Sequence, residues 1–239
     1  MTDFMAVNQQ PLSQAIVISL RDAIISGQLK PGQPLLQAKL AAQFGVSRAP
    51  LREALNRLEE EGFVKTTPYK GSVVAPLTHQ NVDEIRSLRK MLEEYAGQLL
   101  VARMDAADLR EIEAIYARMA DAAGRGDIDG VDREDLALHE KMCALSGHSL
   151  LIEVWNRYAN HFRRVLTFTN RVNHDLHLIV KMHEPLLAAL RARDREALRD
   201  FYENRATDLT PYLPVTWQED GIWNDGEDNG VADDDALRG

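Results

Sequence analysis

Six of the seven histidines lie between His139 and His183, so imidazole chemistry is concentrated in one stretch of the chain. Within it, Asp135 and His139 are four residues apart in DREDLALHEKM. On a helix that spacing puts a carboxylate and an imidazole on one face. With His183 supplied by a later helix, three ligands can converge inside a bundle. One carboxylate with two imidazoles suits a borderline divalent ion such as zinc, nickel, manganese or iron. The plainer reading is a buried polar pair, since this spacing is common by chance. The other histidines read as surface, capping or hydrogen-bonded residues: His79 at a linker, His148 near a helix start, and His161, His174 and His177 on helices. Cys143 stands alone, so it forms no internal disulfide and reads as a small buried hydrophobe.

A second chemistry belongs to the arginines of GVSRAPLREALNRL. Arg48 and Arg52 lie one helical turn apart near the start of an amphipathic helix whose buried face is Leu51, Leu55 and Leu58. An arginine offered to the major groove can donate two hydrogen bonds to guanine O6 and N7, contributing about 1–3 kcal/mol of discrimination. Ser47 is placed to cap this helix, whose N-terminus also favours phosphate. Arg57 reads equally as a phosphate contact or a surface charge.

These residues need elements to hold them. Leu12, Ile16, Leu20 and Ile24 repeat once per helical turn, and Gly27 with Lys30-Pro31-Gly32 ends that helix. A short helix over 37–44 stops at Gly45, with Ala41 and Ala42 keeping it slim, and the arginine helix runs from Ser47 to about Glu61. FVKTTP and SVVAP flank Tyr69-Lys70-Gly71, which predicts a two-stranded wing closed by Pro76. Beyond Thr78 strand signals vanish. Helical periodicity over 81–104, 106–123, 131–146, 150–169, 173–192 and 195–209 predicts an antiparallel bundle. The expected fold is therefore mainly α. A winged helix-turn-helix over 1–76 precedes an all-helical domain over 77–213, and an acidic, disordered tail over 214–239 follows.

Bulk composition narrows the function. The 239 residues are 45% hydrophobic and 27% charged, ordinary for a globular protein. There is no apolar run of the roughly 18–20 residues that cross a bilayer, and the first ten residues lack the pattern of a signal peptide. A cytoplasmic protein without membrane contact is expected. The net charge of −9 is uneven: residues 1–75 hold eight Lys and Arg against six Asp and Glu, while the final 22 residues hold eight acids against Arg238. Contact with DNA must come from the first third.

Residues 12–76, through LKPG, GVSRAPLREAL and the wing glycine Gly71, resemble the GntR family of winged-helix regulators. The resemblance implies that Arg48 and Arg52 contact bases or phosphates and that the wing at Lys70-Gly71 reaches the minor groove. Gln37 stands where many members have Glu, and Ala38 where some have a further arginine. Residues 79–209 resemble the effector domain of the FadR subfamily, the FCD domain. In its metal-binding members an Asp-x-x-x-His joins two later histidines, which implies Asp135, His139 and His183 as ligands. The fourth position falls on Arg205, or on Asn204 with a slip of one. Either three protein ligands leave a position open to water or effector, or Arg205 binds an anion directly. Arg89 and Glu93 match a recurring pair of that family in which the arginine can clamp an effector carboxylate, and Arg163 and Arg164 are further cavity candidates.

The expected function is ligand-responsive transcription control, as a repressor. A homodimer would read a palindromic double-stranded operator and answer to a small organic or sugar acid. Two rivals are a ligand-independent DNA-binding protein and a metal-dependent hydrolase built on Asp135, His139 and His183. The chain has no nucleophile motif or phosphate-binding glycine loop, so no enzyme is expected.

Overall fold

Leu12–Ile25 forms α1 and buries Ile16, Val17, Leu20 and Ile24, while Leu12 at its open end is exposed. These coordinates are a computed structural model that describes residues 12–172 and 175–204. α2 (Gln37–Phe44) and α3 (Arg48–Glu60) meet at Gly45, whose φ of 65° is the left-handed value that lets the chain reverse within two residues. Ala41 packs inward and Ala42 faces solvent. Leu51, Ala54, Leu55 and Leu58 of α3 close over α1. Ser47 occupies the cap position in extended backbone, but its side chain makes no capping bond, so only its backbone serves the cap.

β1 (Val64–Thr67) and β2 (Gly71–Val74) pair antiparallel from Val64–Val74 to Thr67–Gly71, as the wing pattern predicts. Tyr69 and Gly71 both take positive φ in the turn. A short bridge from Pro34 to Val73 adds a third edge, which no alternating pattern announced.

The rest is helical. α4 (His79–Arg103) and α5 (Ala106–Gly124) open with reciprocal capping boxes, Thr78 with Asn81 and Asp105 with Asp108. α6 (Ile128–Leu145), α7 (Ser149–Val172), α8 (Leu176–Met182), α9 (Glu184–Ala192) and α10 (Arg195–Asn204) follow. His148 caps α7 through Nδ1, which accepts from the Leu151 amide at 3.1 Å. The helix expected over 173–192 is two helices that part at His183. Pro185 explains the break: it has no N–H, and its ring would clash with the carbonyl one turn earlier.

Leu100, Ile112, Met119, Leu138, Met142, Leu186 and Leu198 make the bundle core, and no described helix is long and apolar enough to cross a membrane. α7 also packs on the linker and the first turn of α4, where Val165 and Phe168 join Leu77 and Val82. The tail expected over 214–239 lies outside the described residues.

Candidate metal and effector site

Asp135 and His139 project from α6 into the bundle, and the break between α8 and α9 turns His183 toward them. All three side chains are buried, and one ligand atom from each lies within 4.8 Å of the others. The two Nε2 atoms stand 3.3 Å apart. Asp135 Oδ1 is 3.6 Å from the first imidazole and Oδ2 is 3.7 Å from the second.

Partners behind the cluster decide its chemistry. His183 Nδ1 donates to the Ile179 carbonyl at 2.8 Å. His139 Nδ1 lies 2.6 Å from Glu93 Oε2, a close but poorly aligned approach. In the neutral tautomers these partners favour, both Nε2 lone pairs face the same point. Two lone pairs converging beside a carboxylate call for a cation, either a proton or a metal ion. At Zn–N bonds of about 2.0–2.1 Å in tetrahedral array the nitrogens are about 3.3 Å apart, so the donor set fits such an ion in type and spacing.

Arg89 on α4 supplies the fixed counter-charge. Its Nε donates to Glu93 Oε1 at 2.6 Å and its terminal nitrogen to Asp135 Oδ1 at 3.4 Å. Burial pushes both carboxyl groups upward, but Arg89 and the imidazoles outweigh it and hold them below the ordinary range. Burial lowers His139, whereas for His183 Asp135 overcomes burial and raises it.

The cluster opens on a cavity of about 100 Å³ also lined by Arg86, Lys90, Phe162, Thr169, Asn170 and Tyr202. Arg86, Lys90 and Tyr202 were not singled out from sequence. The one-turn spacing of Arg86 and Lys90 beside Arg89 carried a signal; Tyr202, one turn before position 205, carried a weaker one. Burial raises the Tyr202 phenol well above its ordinary value, so it remains a donor.

Two expectations need correction. Arg163 does not line the cavity but pairs with Asp22 of α1 at 2.8 Å. Arg164 donates to the Ala75 carbonyl at 2.7 Å and lies over the Phe63 ring. The reason is helical phase: Phe162, Val165, Leu166 and Thr169 take the cavity face of α7, leaving Arg163 and Arg164 toward the winged unit. Arg205 lies outside the described residues, and Asn204 is the last residue of α10.

His161 also belongs to the junction. Its Nε2 donates to the Glu61 carbonyl at 2.8 Å and its ring stacks on Phe63 at 4.6 Å. Burial holds this imidazole below its ordinary pKa, with Arg164 and Arg21 opposing a proton and Glu61 favouring one. A lowered histidine contributes stability that is full above its unfolded value, about 6.5, and is lost as pH falls through the window below it. Thermal unfolding from pH 7.5 to 5 is expected to show a loss that is smaller in His161→Phe, which keeps the stacking. Equal slopes would refute this role.

On the winged unit, Arg48 and Arg52 are exposed one turn apart at the start of α3, with exposed Ser47 before them. Gln37 opens α2 and is half-buried, as is Arg57 in the last turn of α3. Lys70 and Gly71 are exposed at the wing turn, where Tyr69 stands fully in solvent.

Comparison with known proteins agrees with both halves. The FCD domain family matches residues 84–204, and the gntR family of bacterial regulatory proteins matches residues 12–74. The gluconate operon transcriptional repressor of Bacillus licheniformis is 29% identical over 196 residues, covering 79% of this chain and 80% of the repressor. The HTH-type transcriptional regulator McbR of Escherichia coli is 28% identical over 184 residues, or 75% and 82% of the two chains. The solved structure of E. coli McbR/YncC superposes with a TM-score of 0.67 at 25% identity, covering 85% of this chain and 99% of that one.

Proposed function

Since the chain belongs to the gntR family of bacterial regulatory proteins and carries an FCD domain, we propose that its bundle binds a small carboxylate through a divalent ion held by Asp135, His139 and His183. The chain is a ligand-responsive, DNA-binding transcription regulator of the FadR type, a repressor, and not an enzyme. In this reading residues 1–76 read DNA and residues 77–213 bind the effector.

The observation that carries the metal reading is the pair of Nε2 atoms 3.3 Å apart, each imidazole engaged on its other nitrogen. A bound ion would supply Lewis acidity toward a carboxylate oxygen. The protein's part is orientation: Ile179 and Glu93 fix the two rings, and Arg89 balances the buried carboxylates. Arg89 and Glu93 thus act behind the ligands. A small organic or sugar acid suits the cavity, and similarity to a gluconate operon repressor supports that class.

On DNA, Arg48 and Arg52 read base edges, Ser47, Gln37 and Arg57 meet the backbone, and Lys70-Gly71 carries the wing to the minor groove. A cytoplasmic homodimer on a palindromic operator completes the proposal. Exposed Met91 and Tyr95 on α4, with Leu150, Val154 and Tyr158 on α7, support self-association. Effector binding works through α7, which lines the cavity with Phe162 and Thr169 and grips the winged unit with His161 and Arg164.

The test is metal analysis of protein purified without a metal-affinity tag. Close to one ion per chain is expected, lost in Asp135→Ala and His139→Ala. An ion-free wild type after divalent ions are supplied would overturn the metal reading and leave DNA recognition untouched.

A further inference from the structure

The polar groups of the cavity are largely committed to one another, and that constrains what a ligand can carry besides its carboxylate. Glu93 and Asp135 stand at the cluster end. Arg89 meets them at 2.6 and 3.4 Å and answers one of the two charges. A divalent ion held by neutral imidazoles would answer the other with one positive charge to spare. A single ligand carboxylate brings that end to neutrality. A second, carried deeper into the cavity, would need a cation of its own. Arg86 is engaged in a contact of its own, and Lys90 is half-buried and retains contact with solvent.

The neutral polar groups have their donors in use. The Thr169 hydroxyl donates to the Val165 carbonyl and the Asn170 amide to Asp132, both at 2.7 Å. The Tyr202 hydroxyl has Glu93 for an acceptor. A ligand hydroxyl carried past the cluster would lose its water with few donors left to replace it, which costs affinity. Much of the rest of the wall is apolar: Phe162, Val165 and Leu166 from α7, Ile179 and Met182 from α8, and Ile85 from α4. This surface begins at Met182, next to His183, and reaches Ile85, about 12 Å along α4 from Glu93. The cavity's volume of about 100 Å³ compares with about 10–15 Å³ for one water by the same measure, which is room for an acid of about five to eight carbons.

We propose that the effector is a monocarboxylic acid with an apolar body. Its carboxylate sits at the Asp135–His139–His183 cluster and its hydrocarbon lies against the wall made by α7 and α8. This rests on the reading that the bundle binds a carboxylate through a metal ion. It narrows that class to acids with neither a polyol chain nor a second charge.

The experiment is calorimetric titration of full-length, zinc-supplied protein with propionate, butyrate, valerate and hexanoate. Each added methylene is expected to tighten binding about 4-fold, the equivalent of about 0.8 kcal/mol for a buried methylene. The hydroxylated probe is 3,4-dihydroxybutyrate, which has butyrate's length and charge and no α-hydroxyl to bind zinc itself. It is expected to bind at least about 10-fold weaker than butyrate, and glutarate at least about 10-fold weaker than valerate. Met182→Gln and Ile85→Thr should each reduce the gain per methylene, with zinc content and circular dichroism as in the wild type. A flat series, or dihydroxybutyrate or glutarate binding as tightly as its apolar counterpart, would overturn the proposal. So would a gain per methylene that survives both substitutions, or binding of none of these acids. If zinc is absent, or butyrate binds Asp135→Ala as well as wild type, the underlying carboxylate–metal reading is what has failed.

Discussion

Arg89→Met is expected to destabilise the metal-free protein by about 3–5 kcal/mol, the usual cost of removing one partner of a buried ion pair. Glu93 and Asp135 are 2% and 3% exposed, so neither carboxylate can exchange its lost partner for bulk water. Their lowered pKa values mean that the folded state favours their charged forms while Arg89 is present. Without it, the folded state is expected to take up protons at the cluster. The deficit relative to wild type should thus be full near neutrality and shrink on acidification, as protonation neutralises the orphaned groups. Urea denaturation in the presence of a chelator gives the magnitude. Saturating zinc should restore more stability to the variant than to the wild type, because the ion replaces missing positive charge. At 100 times its dissociation constant an ion specific to the native state contributes about 2.7 kcal/mol. An unchanged midpoint would mean that the network contributes no net stability.

The second large effect is on DNA. Arg48→Ala and Arg52→Ala are each expected to weaken operator binding by about 1–3 kcal/mol if they read base edges. Both side chains are exposed on the first half of α3, whose opposite face is fixed by Leu51, Leu55 and Leu58. Truncation there should leave folding and zinc content unchanged. Titration against operator and against unrelated DNA at several salt concentrations separates two roles. Loss confined to the operator marks base contact, whereas a uniform loss with a shallower salt dependence marks phosphate contact. Full operator affinity in both variants would remove α3 as the reading helix.

Local chemistry made much of this protein legible. The leucines of α3, the turn at Gly45 and the wing around Tyr69–Gly71 follow from helical period, left-handed glycine and strand propensity, each acting within a few residues. Asp135 with His139 belongs to the same class, because four residues on a helix define a face whatever surrounds it. Ser47 shows the limit even there, since it has the right type and position but lacks the capping bond.

Only the tertiary structure decided what each face meets. Arg163 and Arg164 are as basic as Arg86 and Lys90. The rotation of α7 sends the first pair to Asp22 and Ala75, whereas the packing of α4 turns the second pair to the cavity. Glu93 meets His139 and Arg89 meets Asp135 across helices more than forty residues apart in sequence. His183 reaches the cluster from the α8–α9 junction, whose break reflects a local rule that the periodicity reading passed over at Pro185. Periodicity specifies that a helix has a buried side. The depth and phase at which two helices dock depend on how all their side chains fill the space between them, and that packing selected the ligands and basic residues that share this cavity.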